Sequence, residues 1–273
     1  MMKEPLKEAD YKIATIEWLV DKGHINGDAV LINELPVNNF NRRADLVVAN
    51  GKLHAFEIKS DADSLARLSG QIETYLSFFD KVTVVCSPKY TSKALRMLPD
   101  AVQILELNNN GEHNNIMKMV RRGKTKIITS SYNYLSFVEK KILRASLKKQ
   151  GLPLSQRESR ISMCKKLDSL PQKKWRDITL AYLKNKYKNT HDAFFSIKRE
   201  NFTIDELILL SPQNTINIIE RIEKEDDITH FGINKKSLTN EKIDSIGIDI
   251  SENLYKLGFN NSKPMRVIPK LKR

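Results

Sequence analysis

The segment that most restricts what this chain can become is RRADLVVANGKLHAFEIKSDADSLARLSGQIETY, residues 42–75. Two β-rich runs flank Asn50-Gly51, a dipeptide that strongly favours a hairpin turn. The pattern predicts strands over 42–49 and 52–60, then a helix over 63–79. Three charged residues stand where strands prefer apolar side chains: Asp45, Glu57 and Lys59. Glu57 and Lys59 are two apart and share a face of their strand. Loop length decides where Asp45 goes. A two-residue loop at Asn50-Gly51 pairs Asp45 with Phe56 and sends it to the other face. A three-residue loop, Ala49-Asn50-Gly51 with Gly51 left-handed, brings Asp45 to the face of Glu57 and Lys59. That turn, or a bulge of equal effect, is expected.

Two carboxylates a few Å apart repel each other unless a cation lies between them. Mg²⁺ takes carboxylate and carbonyl oxygens in octahedral geometry. A lysine beside it can hold or polarise an attacking water, which are the parts needed for metal-assisted phosphodiester hydrolysis.

At these residues the chain resembles the PD-(D/E)XK nuclease superfamily. Asp45 matches its first acid and Glu57-Ile58-Lys59 its (D/E)-X-K tripeptide, while Ala44 stands where a proline is weakly kept. The resemblance implies that Asp45 and Glu57 bind Mg²⁺, with Mn²⁺ able to substitute, and that Lys59 positions or activates water. Arg67, Gln71 and Tyr75 lie four apart and form one column on the following helix. Their Q-x-x-x-Y pattern resembles the motif of the exonuclease-like branch, in which Gln and Tyr line the site and touch DNA. The competing reading is a solvated helix face with a half-buried tyrosine. The resemblance also implies a further acid in the metal shell, either Glu17 from the first helix or Glu34 from the first strand. His24, in the turn between Gly23 and Gly27, is a candidate neighbour of the site or a surface residue. Arg42, Arg43, Arg67, Arg121 and Arg122 are the candidate nucleic-acid contacts, although Arg42 and Arg43 can equally neutralise nearby carboxylates.

Composition sharpens the partner class. Lys and Arg number 46 against 33 Asp and Glu, a formal net charge of +13, which suits a polyanionic partner, most simply nucleic acid. Cys86 and Cys164 do not cluster with histidine, which argues against a zinc site or disulfide framework and for a reducing cytoplasm. No apolar run reaches the roughly 18 residues of a membrane span, and the N-terminus lacks a signal-peptide core. No phosphate-binding G-x-x-x-x-G-K-[ST] loop occurs, so an ATP-driven step would fall to a partner.

The order of patterns is a helix over 5–22, a strand over 29–37, the hairpin, its helix, a strand over 82–86, a helix over 90–98 and a strand over 102–107. This predicts an α/β fold, and the resemblance implies a restriction-endonuclease-like core, a mixed central sheet flanked by helices, over residues 1–128. The basic stretch Arg121–Lys126 marks the expected boundary. Beyond it, 3.6-residue periodicity predicts helices over 134–150, 155–168 and 171–188, an apolar pattern over 200–223 and a last short element over 245–259. The expected organisation is therefore a mainly helical domain over 129–260 and a basic tail over 261–273. The helical half resembles the region C-terminal to the core in a bacterial and phage branch of the superfamily. It is expected to cradle DNA, or to bind a protein partner or a second copy. The expected function is a metal-dependent deoxyribonuclease in a bacterial or phage defence or repair setting. The alternative is a non-catalytic nucleic-acid- or protein-binding regulator on a nuclease fold.

Overall fold

The computed structural model describes residues 6–109, 115–196, 202–210, 248–249 and 266–267. The chain forms two compact units, residues 1–187 and 188–273.

The first unit holds a six-stranded sheet: β1 (Val30–Val37), β2 (Arg42–Ala49), β3 (Leu53–Lys59), β4 (Lys81–Cys86), β5 (Gln103–Asn109) and β6 (Asn115–Arg121). The strands lie side by side in chain order. The β1–β2, β2–β3 and β5–β6 pairs are antiparallel, whereas β3–β4 and β4–β5 are parallel. The two parallel steps need crossovers, supplied by α2 (Leu68–Phe78) and α3 (Pro88–Met97). The mixed α/β class thus follows the alternation of the sequence. β6 was not anticipated. Its Lys118 and Arg121 break the apolar pattern, and it is an edge strand with exposed Ile116 and Met119. The basic loop after it passes so close to β5 that a Cβ on Gly123 would lie 2.4 Å from the Gln103 nitrogen.

Two apolar layers cover the sheet. Helix α1 (Glu8–Asp21) buries Tyr11, Ile16 and Leu19 against the layer containing Leu31, Leu46 and Phe56. Its first turn is fixed by the Lys7 N–H donating to Asp10 Oδ2 at 2.7 Å. The other layer takes Val47, Ala55 and Val84 from the sheet with Ile72, Tyr75 and Ala94 from α2 and α3. It then continues through Ile128 into α4 (Ser131–Leu135), α5 (Lys140–Lys149), α6 (Arg160–Asp168) and the start of α7 (Gln172–Phe195). One core therefore crosses the boundary expected near residue 128. The single helix expected over 134–150 is two. Ser130 caps α4 by accepting from the Asn133 N–H, and the chain turns extended at Glu139 before α5 begins. Gly151, left-handed at φ +67°, ends α5.

In the second unit Phe194 stacks on Phe202 at a centroid distance of 4.7 Å, beside a 3₁₀ turn at Asp205–Leu210. Leu207 is buried there, whereas Ile204, which precedes the turn, is 47% exposed. Residues 248–249 pair with 266–267. The rest of the apolar pattern over 200–223 and of 245–259 and 261–273 lies outside the described residues.

Candidate active site

The hairpin loop has three residues, but they are Asn50-Gly51-Lys52, because Ala49 pairs with Leu53. Gly51 is left-handed at φ +65°. An odd-length loop preserves the expected facing while sliding the register, so Asp45 falls in line with Glu57. The β2–β3 ladder stops at Leu46–Phe56. Beyond it the Asp45 carboxylate replaces a backbone acceptor, taking the Ile58 N–H at 2.6 Å.

Glu57 is the buried centre, 1% exposed. Its Oε1 accepts from Lys59 Nζ at 2.6 Å and from Gln71 Nε2 at 2.6 Å. The Tyr75 hydroxyl lies 2.9 Å from Glu57 Oε2 and 2.7 Å from the Arg43 carbonyl, and its one proton serves these two acceptors. Burial first, and Glu57 second, raise the Tyr75 hydroxyl far above its ordinary value. Gln71, having spent its amide on Glu57, leaves its own buried Oε1 without a partner.

Asp45 is poorly compensated. Burial, then repulsion from Glu57, pushes the Asp45 carboxyl up to about 8, although the Ile58 N–H and Lys12 pull it down. Lys12 was missed by sequence reasoning, since it sits on the apolar side of α1. It is 5% exposed, 2.9 Å from Glu8 and 3.4 Å from Glu34. Burial alone would lower it, but Glu8, Asp45 and Glu34 together hold it above its ordinary value.

Glu34 stands opposite Asp45, between the Asn33–Leu46 and Leu35–Ala44 pairs. Its backbone is left-handed at φ +59°, a strained conformation for a residue with a Cβ. The strand skips a beat there: Val30 and Ile32 enter one apolar layer, and so do Leu35 and Val37. Glu34, Asp45 and Glu57 thus form a row across three strands. Glu34 is held by Lys12 and by Arg43 Nη1 at 3.2 Å.

The other expected site residues are placed differently. Glu17 lies roughly 140° around α1 from Lys12, so the helix turns Glu8 and Lys12, rather than Glu17, toward Glu34. Arg67 is exposed and precedes α2 as its cap, so the expected column begins at Gln71. Arg42 lies along α2, its Nη2 3.5 Å from where a Gly70 Cβ would stand. Arg121 is spent on structure, donating to the carbonyls of Leu95, Leu98, Pro99 and Val102 at the end of α3. Arg122 is exposed near Lys81, at the start of β4 and away from the carboxylates. His24 is also at that far end. Its carbonyl accepts from Asn50, and its ring is 5.4 Å from Trp18 and 6.4 Å from His54.

Among the described residues, no group of three or more His, Cys, Asp or Glu side chains is gathered tightly enough to cage a metal. Mg²⁺ needs less than a cage, since one or two carboxylates suffice and water fills the rest of its shell. Two observations fit such an ion: Asp45 held up by an adjacent carboxylate, and the Gln71 Oε1 acceptor left over beside Glu57.

Fold and side-chain geometry together define a mixed α/β protein with two acids and a lysine gathered at the carboxyl end of a parallel strand. The chain belongs to the family of bacteriophage P4 protein cII, whose family model matches residues 1–211. It is 39% identical over 212 residues to protein cII of Enterobacteria phage P4, covering 77% of this chain and 80% of that protein. A solved structure of a protein of unknown function from Silicibacter pomeroyi is similar over 56% of this chain and 99% of that one, at 16% identity and a TM-score of 0.36. That likeness is too distant to carry an argument.

Proposed function

We propose that this protein is a divalent-metal-dependent nuclease acting on DNA, built on a PD-(D/E)XK-like core. The observation that carries this reading is the convergence of Lys59, Gln71 and Tyr75 on buried Glu57, with Asp45 set beside it on the neighbouring strand. Asp45 and Glu57 would hold Mg²⁺ or Mn²⁺, which supplies Lewis-acid stabilisation of charge on the phosphate. Lys59 orients and polarises the attacking water. Gln71 fixes the Glu57 carboxylate and keeps an acceptor for the bound strand. Tyr75 ties the carboxylate to the β2 backbone, which keeps the two acids in register. Lys12 and Arg43 restrain Glu34, so it sits at the rim as a second-rank candidate for the metal shell. The excess of basic residues supports a polyanionic partner. The helical region offers a surface for DNA, a protein partner or a second copy, and the expected compartment is the cytoplasm. Among the described residues no helix is long and apolar enough to cross a membrane.

A second reading is favoured by one observation: Glu57 already has both oxygens engaged by protein donors. On that reading the cleft is self-sufficient and the protein binds nucleic acid or protein without cutting. One assay separates the two. Purified protein meets linear, circular and single-stranded DNA with Mg²⁺, Mn²⁺ or EDTA, beside Lys59→Ala. Metal-dependent cleavage lost in the variant supports the nuclease. No cleavage, together with no metal-induced thermal stabilisation, sinks it.

A further inference from the structure

The hairpin that delivers Asp45 begins with a short turn that carries an exposed aromatic residue. Asn38, Asn39, Phe40 and Asn41 join β1 to β2, and the Asn41 N–H closes the turn on the Asn38 carbonyl at 3.1 Å. Asn38, Asn39 and Phe40 are all left-handed, at φ +50°, +52° and +69°. Asparagine tolerates that region, but a bulky aromatic does not. Phe40 is also 84% exposed, the most exposed large apolar side chain among the described residues. Its ring therefore bears backbone strain and full hydration together, and a residue chosen for stability would be Gly or Asn.

The surroundings of Phe40 indicate its use. Arg42 and Arg43 come directly after the turn, one lying along α2 at Gly70, the other reaching Glu34. Arg42 is about 10 Å along β2 from Asp45. An exposed aromatic ring in the turn just before Arg42, Arg43 and the strand that carries Asp45 offers what a nucleobase needs, a flat apolar face to stack on, with donors close by in the chain for the adjoining phosphates.

We infer that Phe40 is a base-stacking wedge: it inserts against an unstacked base of the bound strand while Arg42 and Arg43 hold the flanking backbone. This deepens the nuclease reading and rests on its choice of nucleic acid, but it does not require cleavage. A protein partner docking on the same ring is the competing outcome.

The test is binding in EDTA, where nothing is cut. Full-length protein is titrated into a 20-nucleotide single strand and a duplex with a frayed end, each carrying 2-aminopurine. The variants are Phe40→Asn and Phe40→Trp. The expected result is quenching by the wild type and by Phe40→Trp. Phe40→Asn should bind about tenfold more weakly with the quench lost, while its melting temperature is equal to or above that of the wild type. Because every titration is run in EDTA, its result does not depend on whether the wild type cleaves when metal is added, which separates failure of this inference from failure of the nuclease reading. Equal binding and quenching by Phe40→Asn, or no DNA binding by the wild type, overturns the wedge. So does a change confined to self-association in sedimentation.

Discussion

The two ends of β3 each bury a carboxylate, and they treat it in opposite ways. At the amino end, Asp80 is 1% exposed and fully satisfied. Arg176 meets it with two parallel bonds of 2.8 and 2.9 Å, and the Leu53 N–H, the Ile128 N–H and the Tyr134 hydroxyl donate as well. The Arg176 guanidinium also lies over the Tyr134 ring, 4.4 Å from its centroid. This knot ties the sheet to α4 and α7. At the carboxyl end, Lys59 pairs with Glu57, but Asp45 beside it has no cation in contact among the described residues, and burial and the Glu57 charge drive it toward its neutral form. A carboxylate used for structure is given a bidentate partner and donors for its remaining lone pairs. One meant for a ligand is buried beside its own kind and left wanting a cation. Under the proposed function, that difference makes the second end the ligand-binding one.

The largest expected effect separates the ends by activity. Asp45→Asn should lower metal-dependent cleavage by several kcal/mol, on the order of a thousandfold. It should leave thermal stability unchanged or raised, because it removes a repelling charge. Calorimetric melting beside a cleavage assay checks both, and a variant that unfolds would break the contrast.

Next in size is the reverse case. Arg176→Ala strands Asp80 without its cation and should cost about 3–5 kcal/mol in urea unfolding. Cleavage below the melting temperature should persist. Loss of activity in a still-folded Arg176→Ala protein would show that the two ends are not independent.

A smaller effect is visible in pH. Asp45 holds its proton more tightly folded, at about 8, than unfolded, near 3.8. The folded state therefore binds more protons between these values, and stability falls as pH rises from about 4 toward 8. In EDTA the wild-type melting temperature should drop by about 3–6 °C relative to Asp45→Asn between pH 5 and pH 8. Excess Mg²⁺ should remove most of that drop. Parallel curves in EDTA would show that the acids are compensated by something other than a cation.

The smallest effect concerns Lys12. Lys12→Met removes a charge that draws Asp45 down, so the midpoint of that fall should move up by about half a pH unit. Carboxyl carbon NMR titration of Asp45 measures it directly. An unmoved midpoint would reduce Lys12 to a brace between Glu8 and Glu34.

Much of the site was legible because period-2 and period-3.6 patterns are local. Glu57 and Lys59 share a strand face, and Gln71 and Tyr75 share a helix face, whatever surrounds them. The hairpin carried the facing of Asp45 through the parity of its loop, even though the loop residues themselves were displaced by one. Lys12 was invisible because a lysine in an apolar stripe signals nothing until its acidic partners on β1 and α1 are placed. Glu17 misled for the mirror reason, since a lone acid in such a stripe need not face the cleft.

The sequence by itself determined the alternation of elements and the gathering of acids and lysine on one hairpin, because each depends on spacing within a few residues. Tertiary structure alone decided which acid of the first helix and strand joins them, since that turns on the left-handed kink at Glu34. It also decided that Arg121 closes a helix end rather than meeting phosphate, and that Asp80 and Arg176, 96 residues apart, become the joint between sheet and helices. Contacts between segments so distant in the chain leave no periodic trace, and only the packed fold brings them within hydrogen-bonding range.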